Sequence, residues 1–422
     1  MPRQSRPLSA SLPSPVKAHR QTSKYAAKRD AIVEAAVRLF NQRGLKGVSL
    51  AEVAHSVGLV TNSVTYYFKK KEDLAAACYL RAIEAVEALF IAASREATPA
   101  ARLQRCVTLY FNLLKDIESG QRPPLVVFDD IRALSDSGTQ MVFDAYTNMF
   151  RRARPLLQTD ERTPIERRAA NARTHLFLSL IFWVPAWIYR YETEDYDRVA
   201  ARINDILARG LPASHAPWPA LSVPLAAPAA STTEISREAF LRAATDLINE
   251  QGYRGASVEM ISARLNVTKG SFYHHNENKD DLVVECFERT FAVIRQAQNA
   301  AAAVGNSGWA RLCAAVSTLI QHQMSADGPL LRTSALHAVP EPTRIQMVIR
   351  MNRLSDRFAS FIVDGIADGS IRPVDPFIAG QLVNPMINGA AELHRWVPGI
   401  TADAVTDLYV RPLLEGLAAP TR

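Results

Sequence analysis

The chain has 422 residues, of which 48% are apolar and 22% charged, a balance that is typical of globular proteins and excludes a wholly disordered chain. Its length predicts two to four domains, and its net charge of +7 allows a polyanionic partner. Four cysteines without a Cys-x-x-Cys pair argue against a disulfide-stapled secreted scaffold and against a thiolate zinc site. No apolar run approaches the roughly 18 residues of a membrane span, and the N-terminus lacks an apolar signal segment, so we expect a cytoplasmic protein without a membrane partner.

The first 23 residues contain four prolines, four basic side chains and no acidic ones. A segment of this composition cannot bury enough apolar surface to fold on its own. The sequence therefore predicts a disordered basic tail over residues 1–23.

The spacing of residues 24–74 predicts three helices. Apolar side chains at three- and four-residue intervals form a first stripe, and Gly44 ends that helix. Ser49 and Glu52 then have the spacing of a capping box, which predicts a second, short helix. Gly58 supplies a tight turn, and a last helix should run from Thr61 to Phe68. Two short helices joined by a glycine turn and braced by a longer one are typical of a helix–turn–helix.

The last of these helices has a small, polar outer surface, which can enter a major groove and offer hydroxyls and amides to bases and phosphates. The lysines that follow it are interpreted as phosphate contacts, with a merely solvated loop as the alternative. The candidate DNA-binding residues of this first head are Thr61, Asn62, Ser63, Thr65, Tyr66, Tyr67, Lys69 and Lys70.

Residues 75–211 continue with helical spacing and no competing period of two, which predicts an all-α body. Residues 212–231 contain five prolines and many alanines. Proline fixes φ and removes a donor, so this stretch is predicted to be an extended, semi-rigid linker and not a packed element.

The sequence repeats itself after 208 residues. Residues 29–74 align with residues 237–282 without a gap, and 13 of the 46 positions are identical. This repeat predicts a second head over 232–282 and a second helical body over 283–422. The candidate DNA-binding residues of the second head are Lys269, Ser271, Tyr273 and His274.

Both heads resemble the DNA-binding domain of TetR/AcrR-type transcriptional regulators. The resemblance rests on the runs GLVTNSVTYYFKKKEDL at residues 58–74 and NVTKGSFYHHNENKDDL at residues 266–282. The copies depart from the family pattern at Thr65, which stands where the family has a phosphate-contacting tyrosine, and at Asn276, which replaces a core phenylalanine. Asn266 stands in place of the turn glycine, a mild change because asparagine tolerates positive φ.

The resemblance implies a DNA-binding regulator and not an enzyme, most simply a ligand-responsive repressor that binds a double-stranded operator and a small, apolar effector. No motif indicates a cofactor or a metal. Aromatic residues of the first body are interpreted as core or subunit contacts, and some of them as the lining of an effector pocket. The pocket candidates are Phe143, Tyr146, Met149, Phe177, Trp183 and Trp187. The counterpart in the second body, residues 384–396, is more polar, so a pocket there should take a different ligand.

Family members pair through their last two helices. In a tandem chain we expect residues 165–211 to pair with residues 374–418 as an intramolecular pseudo-dimer, with a homodimer of tandem chains as the alternative. Residues 24–74 carry a net charge of +4 and residues 234–282 a net charge of −2, so the first head should be the stronger DNA binder. A protein-binding co-regulator that has lost DNA binding in one or both heads is the competing interpretation.

Overall fold

The computed structural model describes residues 15–128, 131, 137–157, 163–214, 216–219, 223–225, 237–253, 255–266 and 279–418. Within these ranges the regular structure is helical, and the single β contact is an isolated bridge between Pro212 and Ile371. The all-α prediction is confirmed. Within the same ranges, none of the helices combines the length and the apolar character that crossing a bilayer would require.

The first unit contains eight helices among the described residues. The head consists of α1–α3, and α4 connects it to the body by packing on α1 as well as on α5 and α6. Contrary to the predicted tail, α1 extends through residues 15–23, which are helical. The helices are α1 Pro15–Arg43, α2 Leu50–Ser56, α3 Thr61–Tyr67, α4 Lys71–Ala93, α5 Pro99–Glu118, α6 Ser137–Ala153, α7 Pro164–Trp183 and α8 Tyr196–Arg209.

The second unit repeats this order. Its head contributes α9 and α10, and the helix expected over residues 268–275 lies outside the described residues. A π-helical segment, Thr406–Val410, joins the last two short helices. The helices are α9 Arg237–Gln251, α10 Val258–Arg264, α11 Lys279–Val304, α12 Gly308–Gln323, α13 Glu341–Ala367, α14 Pro376–Ala390, α15 Leu393–Trp396, α16 Ala402–Val405 and α17 Arg411–Glu415.

The cysteines occupy matching places in the two units. The Sγ of Cys78 lies 3.7 Å from the carbonyl oxygen of Val33, and the Sγ of Cys286 lies 3.7 Å from that of Leu241. Both pairs are related by the same shift of 208 residues. Burial raises the pKa of both thiols to about 12, so they remain protonated and pack as small apolar side chains.

The last helices of the two bodies pack against each other. α7 lies against α14 and the π-helical segment, and α8 also contacts α14. The helices approach closely at Gly389, where a Cβ atom would come within 2.6 Å of the Ser179 Oγ and 2.8 Å of the Tyr409 hydroxyl. Backbone bonds join the ends of the same elements, since the Leu211 amide donates to the Leu414 carbonyl at 2.8 Å. The helices within 165–211 and 374–418 therefore share one buried core.

The described part of the linker is packed against the second body. The Trp309 indole donates to the Pro217 carbonyl at 3.0 Å, and the Trp218 ring meets the Trp309 ring edge-on at 5.8 Å. Val223 is buried beside Thr318. The prediction of an unpacked connector is wrong for these residues, because apolar side chains between the prolines dock on the second body.

Candidate nucleic-acid interface and internal cavity

The helix–turn–helix of the first head is formed by local interactions that the sequence specifies. Ser49 caps α2: its amide donates to the Glu52 carboxylate at 2.8 Å, and its hydroxyl accepts from the Glu52 amide at 3.3 Å. This completes the predicted capping box and lowers the pKa of the Glu52 carboxyl, chiefly through the Ser49 hydroxyl. Gly58 has φ +67°, a conformation that favours glycine, and the chain turns there into α3.

Helix α3 presents a polar surface to solvent and an apolar side to the head. Val64 is fully buried and anchors the helix, while Tyr66 is 74% exposed. The remaining candidates on the helix, Thr61, Asn62, Ser63, Thr65 and Tyr67, are exposed or half-buried. Because the outer face carries hydroxyls, an amide and the phenol of Tyr66, it has the chemistry to enter a major groove.

Lys69 and Lys70 are exposed between α3 and α4. Among the residues that the structure describes, neither ammonium group has an ion-pair partner. The Lys70 backbone amide donates to the Asp73 carboxylate at 3.1 Å, which fixes the start of α4 and leaves the side chain free. Both charges are therefore available to a polyanion beside α3.

Helix α1 adds residues to this surface that sequence reasoning missed. The Tyr25 ring packs at 4.7 Å from the Tyr67 ring and 6.0 Å from the Tyr66 ring. Lys24 and Lys28, on either side of Tyr25, are exposed. The signal was present in the sequence, because Lys24, Tyr25 and Lys28 have helical spacing within residues 24–74, but DNA contacts were expected only from the last helix of the head and the lysines after it.

The second head matches the first where it is described. Ser257 caps α10 by accepting from the Met260 amide at 3.2 Å. Asn266 has φ +55°, close to the value at Gly58, so the expectation that asparagine tolerates the turn is confirmed. The four candidate residues of this head lie outside the described residues: Lys269, Ser271, Tyr273 and His274.

Each head is fastened to its body by an asparagine that is identical in the two copies. Asn41 donates to the Leu125 carbonyl at 2.9 Å and accepts from the Val127 amide at 3.1 Å. Asn249 does the same in the second unit, with the Leu330 carbonyl at 2.9 Å and the Arg332 amide at 3.0 Å. We call these two arrangements the asparagine latches.

The equivalent arginines Arg81 and Arg289 reinforce the latches. Arg81 donates to the Pro124 carbonyl at 3.2 Å, and Arg289 donates to the Pro329 carbonyl at 2.9 Å. Asn41/Asn249 is one of the identical pairs of the repeat, so the sequence pointed to a shared role. Only the folded chain shows that the partner of each side chain is a backbone segment about 80 residues further along.

A cavity of about 380 Å³ lies between the two bodies and is lined by both units. Arg332 forms an ion pair with Glu392 in its wall, and both side chains are mostly buried. The second unit also places the Trp396 ring in a stack with Phe150, at 4.0 Å between centroids. The first unit contributes mainly aromatic groups, and the second unit mainly polar ones: Phe128, Phe143, Tyr146, His175, Phe182 and Trp183, then Arg332, Asn388, Glu392, Arg395 and Trp396.

The structure separates the predicted pocket residues into two groups. Phe143, Tyr146 and Trp183 line the cavity. The other three are buried in the surrounding core and are not among its lining residues: Met149, Phe177 and Trp187. The polar run at residues 384–396, which suggested a separate pocket, instead faces the same cavity as the first unit's aromatic rings.

The described residues contain no cluster of three or more side chains suited to hold a metal ion.

Comparison with known proteins identifies similar sequences at the two heads. The family model described as bacterial regulatory proteins of the tetR family matches residues 32–78 and 240–286. The chain is 37% identical over 57 residues to the transposon Tn10 TetC protein of Escherichia coli, a match that covers 14% of this chain and 29% of TetC. It therefore spans less than a third of the length of that relative.

A longer match is found with the HTH-type transcriptional repressor KstR2 of Rhodococcus jostii (strain RHA1), which is 26% identical over 188 residues. This match covers 44% of the present chain and 92% of KstR2. Among solved structures, SCO3833, a TetR-type regulator of Streptomyces coelicolor, is 26% identical, with a TM-score of 0.35 over 44% of this chain and 92% of that one.

Proposed function

Because this chain is a tandem TetR-type transcriptional regulator and not an enzyme, we propose that it binds an operator in duplex DNA and acts there as a ligand-responsive repressor. The single observation that carries DNA binding is the outer surface of the first head. There an exposed polar helix, α3, is followed directly by Lys69 and Lys70, which are exposed and have no ion-pair partner among the described residues. The protein would act in the cytoplasm, where the chromosome lies.

Charge supports the first head as the stronger binder. Phosphate neutralisation supplies most of the sequence-independent affinity for DNA, and it scales with the number of cations that reach phosphates. Residues 24–74 have a net charge of +4, against −2 for residues 234–282. Lys24 and Lys28 of α1 extend the basic surface beside the aromatic cluster of Tyr25, Tyr66 and Tyr67.

We propose that the two units pair within one chain and present the two heads to one DNA duplex. The packing of α7 and α8 on α14 supports this, as does the docked linker, which ties the two bodies together. Polar contacts reinforce the same face: Arg372 donates to the Asp205 carboxylate at 2.6 Å, and the His175 ring is 2.8 Å from the Gly389 carbonyl. Because the heads differ in sequence, the operator would have unlike half-sites.

Ligand response is proposed from the position of the cavity relative to the latches. Phe128 lines the cavity and directly follows Val127. The Val127 amide donates a hydrogen bond to Asn41 of the first head. Arg332 also lines the cavity, and its amide is held by Asn249 of the second head. A small, largely apolar ligand that shifted either wall would move a latch and so change the position of a head. DNA affinity would then fall by the ratio of the ligand's affinities for the shifted conformation and for the DNA-binding conformation.

The test is a gel shift with the DNA upstream of the protein's own coding sequence, titrated with salt. We expect a retarded complex whose affinity falls steeply with salt, and weaker binding by Tyr66→Ala and Lys70→Ala than by Lys269→Ala. Arg198→Ala, at an exposed position on α8, is the matched control and should bind as the parent does. Absence of a complex at low salt would overturn DNA binding and favour the co-regulator interpretation, while loss with Lys269→Ala alone would reverse the order of the heads.

A further inference from the structure

The cavity between the bodies is a composite site, because neither unit contains it alone. Phe143 and Tyr146 approach from α6, while Trp396 reaches across from the end of α15. The Trp396 ring lies 5.9 Å from the Tyr146 ring, in addition to its stack with Phe150. At about 380 Å³ the cavity falls at the small end of the roughly 300–1,000 Å³ that is typical of small-molecule sites.

Two polar groups of this cavity offer hydrogen-bond donors to a ligand. The Trp183 indole nitrogen is buried and has no hydrogen-bond partner among the described residues. Asn388 accepts from the Thr333 amide at 3.0 Å through its side-chain oxygen, which leaves its NH₂ group as a donor. A bound molecule must therefore supply acceptors, since a buried donor without a partner costs free energy.

The charges at the cavity point in the same direction. Glu392 already neutralises Arg332, and the two form a mostly buried pair. Arg395, at the exposed rim, has no ion-pair partner among the described residues. The lining therefore carries one unmatched positive charge beside a set of aromatic walls.

We propose that this cavity binds one molecule per chain, a monoanion with an aromatic or other flat apolar body, whose charged group lies at Arg395 and whose body lies among Phe143, Trp183 and Trp396. The inference rests on the proposed ligand response and adds its stoichiometry and ligand chemistry. A symmetric pair of pockets would take two ligands per chain, whereas a cavity shared by both units takes one. Because its walls include Phe128 and Arg332, one ligand contacts the segments held by both latches.

The test compares two probes on the full chain. 8-Anilinonaphthalene-1-sulfonate is an aromatic monoanion, and N-phenyl-1-naphthylamine has the same rings without the charge. Fluorescence titration of the sulfonate should give one saturable site per chain, and the sulfonate should bind about two- to fivefold tighter than the neutral probe, in the range of one partly exposed ion pair. Two equivalent sites, no saturable site, or equal affinity for the two probes would overturn the proposal.

Variants from both units test the composite wall. Phe143→Ala and Trp396→Ala should each weaken both probes by about tenfold, the scale of one lost aromatic contact with its buried area. Tyr189→Ala is the matched aromatic control, because Tyr189 is 68% exposed and does not line the cavity. Loss with Phe143→Ala but full binding by Trp396→Ala would place the site in the first unit alone and contradict the proposal.

The charge is tested by Arg395→Gln, which should remove most of the preference for the sulfonate and leave the neutral probe unchanged. Arg198→Gln is its control, because Arg198 is exposed on α8 and has no ion-pair partner within the described ranges. An unchanged preference in Arg395→Gln would refute the anionic assignment. DNA binding by the same preparations distinguishes the two proposals. A chain that binds DNA but not the sulfonate refutes only the composite site. A chain that binds the sulfonate but not DNA refutes only the operator function.

Discussion

Removing the two lysines after α3 should change the salt dependence of DNA binding by an amount that the structure allows us to estimate. Lys69 and Lys70 are exposed, carry no ion-pair partner among the described residues, and directly follow the helix proposed to enter the groove. If each neutralises one phosphate, the double variant Lys69→Ala/Lys70→Ala should lower the slope of log K against log salt by about 1.8. The same relation gives about sixtyfold weaker binding at roughly 0.1 M salt.

The assay is fluorescence anisotropy with a labelled duplex of arbitrary sequence, since the phosphate contribution does not require the operator. The control is Arg198→Ala/Arg353→Ala, which removes two exposed positive charges from the bodies and keeps the net charge of the two proteins equal. The control should retain the slope of the parent chain. An unchanged slope in the lysine variant, or an equal loss in the control, would refute the assignment of these lysines to phosphates.

Three further predictions concern the body. Asn41→Ala removes both hydrogen bonds of the first latch, about 1–3 kcal/mol in total, so deuterium exchange of residues 124–128 should accelerate; unchanged protection would show that the latch contributes nothing. Gly389→Ala places a methyl group within 2.6 Å of the Ser179 Oγ. The variant should lower the free energy of unfolding by about 1–3 kcal/mol, measured by urea denaturation. A denaturation midpoint equal to that of the parent would mean that α7 and α14 do not pack as described. Burial lowers the pKa of His322 in the folded protein below its ordinary value of 6.5. The unfolded chain therefore binds the proton more readily, and the free energy of unfolding decreases as the pH falls below 6.5. His322→Gln should reduce the loss in melting temperature between pH 7 and pH 5, and an identical loss in both proteins would contradict this.

The parts of the fold that depend on neighbouring residues could be predicted from the sequence. Ser49 and Glu52 form their capping box because both partners lie within one turn. Asn266 takes positive φ at the turn where Gly58 does so in the first head, and the repeat made that equivalence visible in the sequence. The extent of α1 was missed because residues 15–23 contain Pro15 and basic side chains, and a composition argument does not detect that they continue an existing helix.

The cavity could not be predicted in the same way, because its walls come from both units of the chain, which are far apart in the sequence. Met149 and Tyr146 lie one helical turn apart, yet Met149 points into the core and Tyr146 to the cavity. Which of them faces a pocket depends on the rotation of α6 against its neighbours, which periodicity alone does not give. The role of Trp396 depends on the packing of the two bodies, since it meets Phe150 of α6 only when α15 packs on the first body.

The molar mass of the protein, free and bound to an operator fragment, tests most directly whether two units of one chain act together. Light scattering after size-exclusion chromatography should give 46.6 kDa for the free protein, and the complex should contain one chain per duplex. A free species of twice that mass, with two chains on each duplex, would contradict intramolecular pairing and show that the tandem chain assembles as a homodimer.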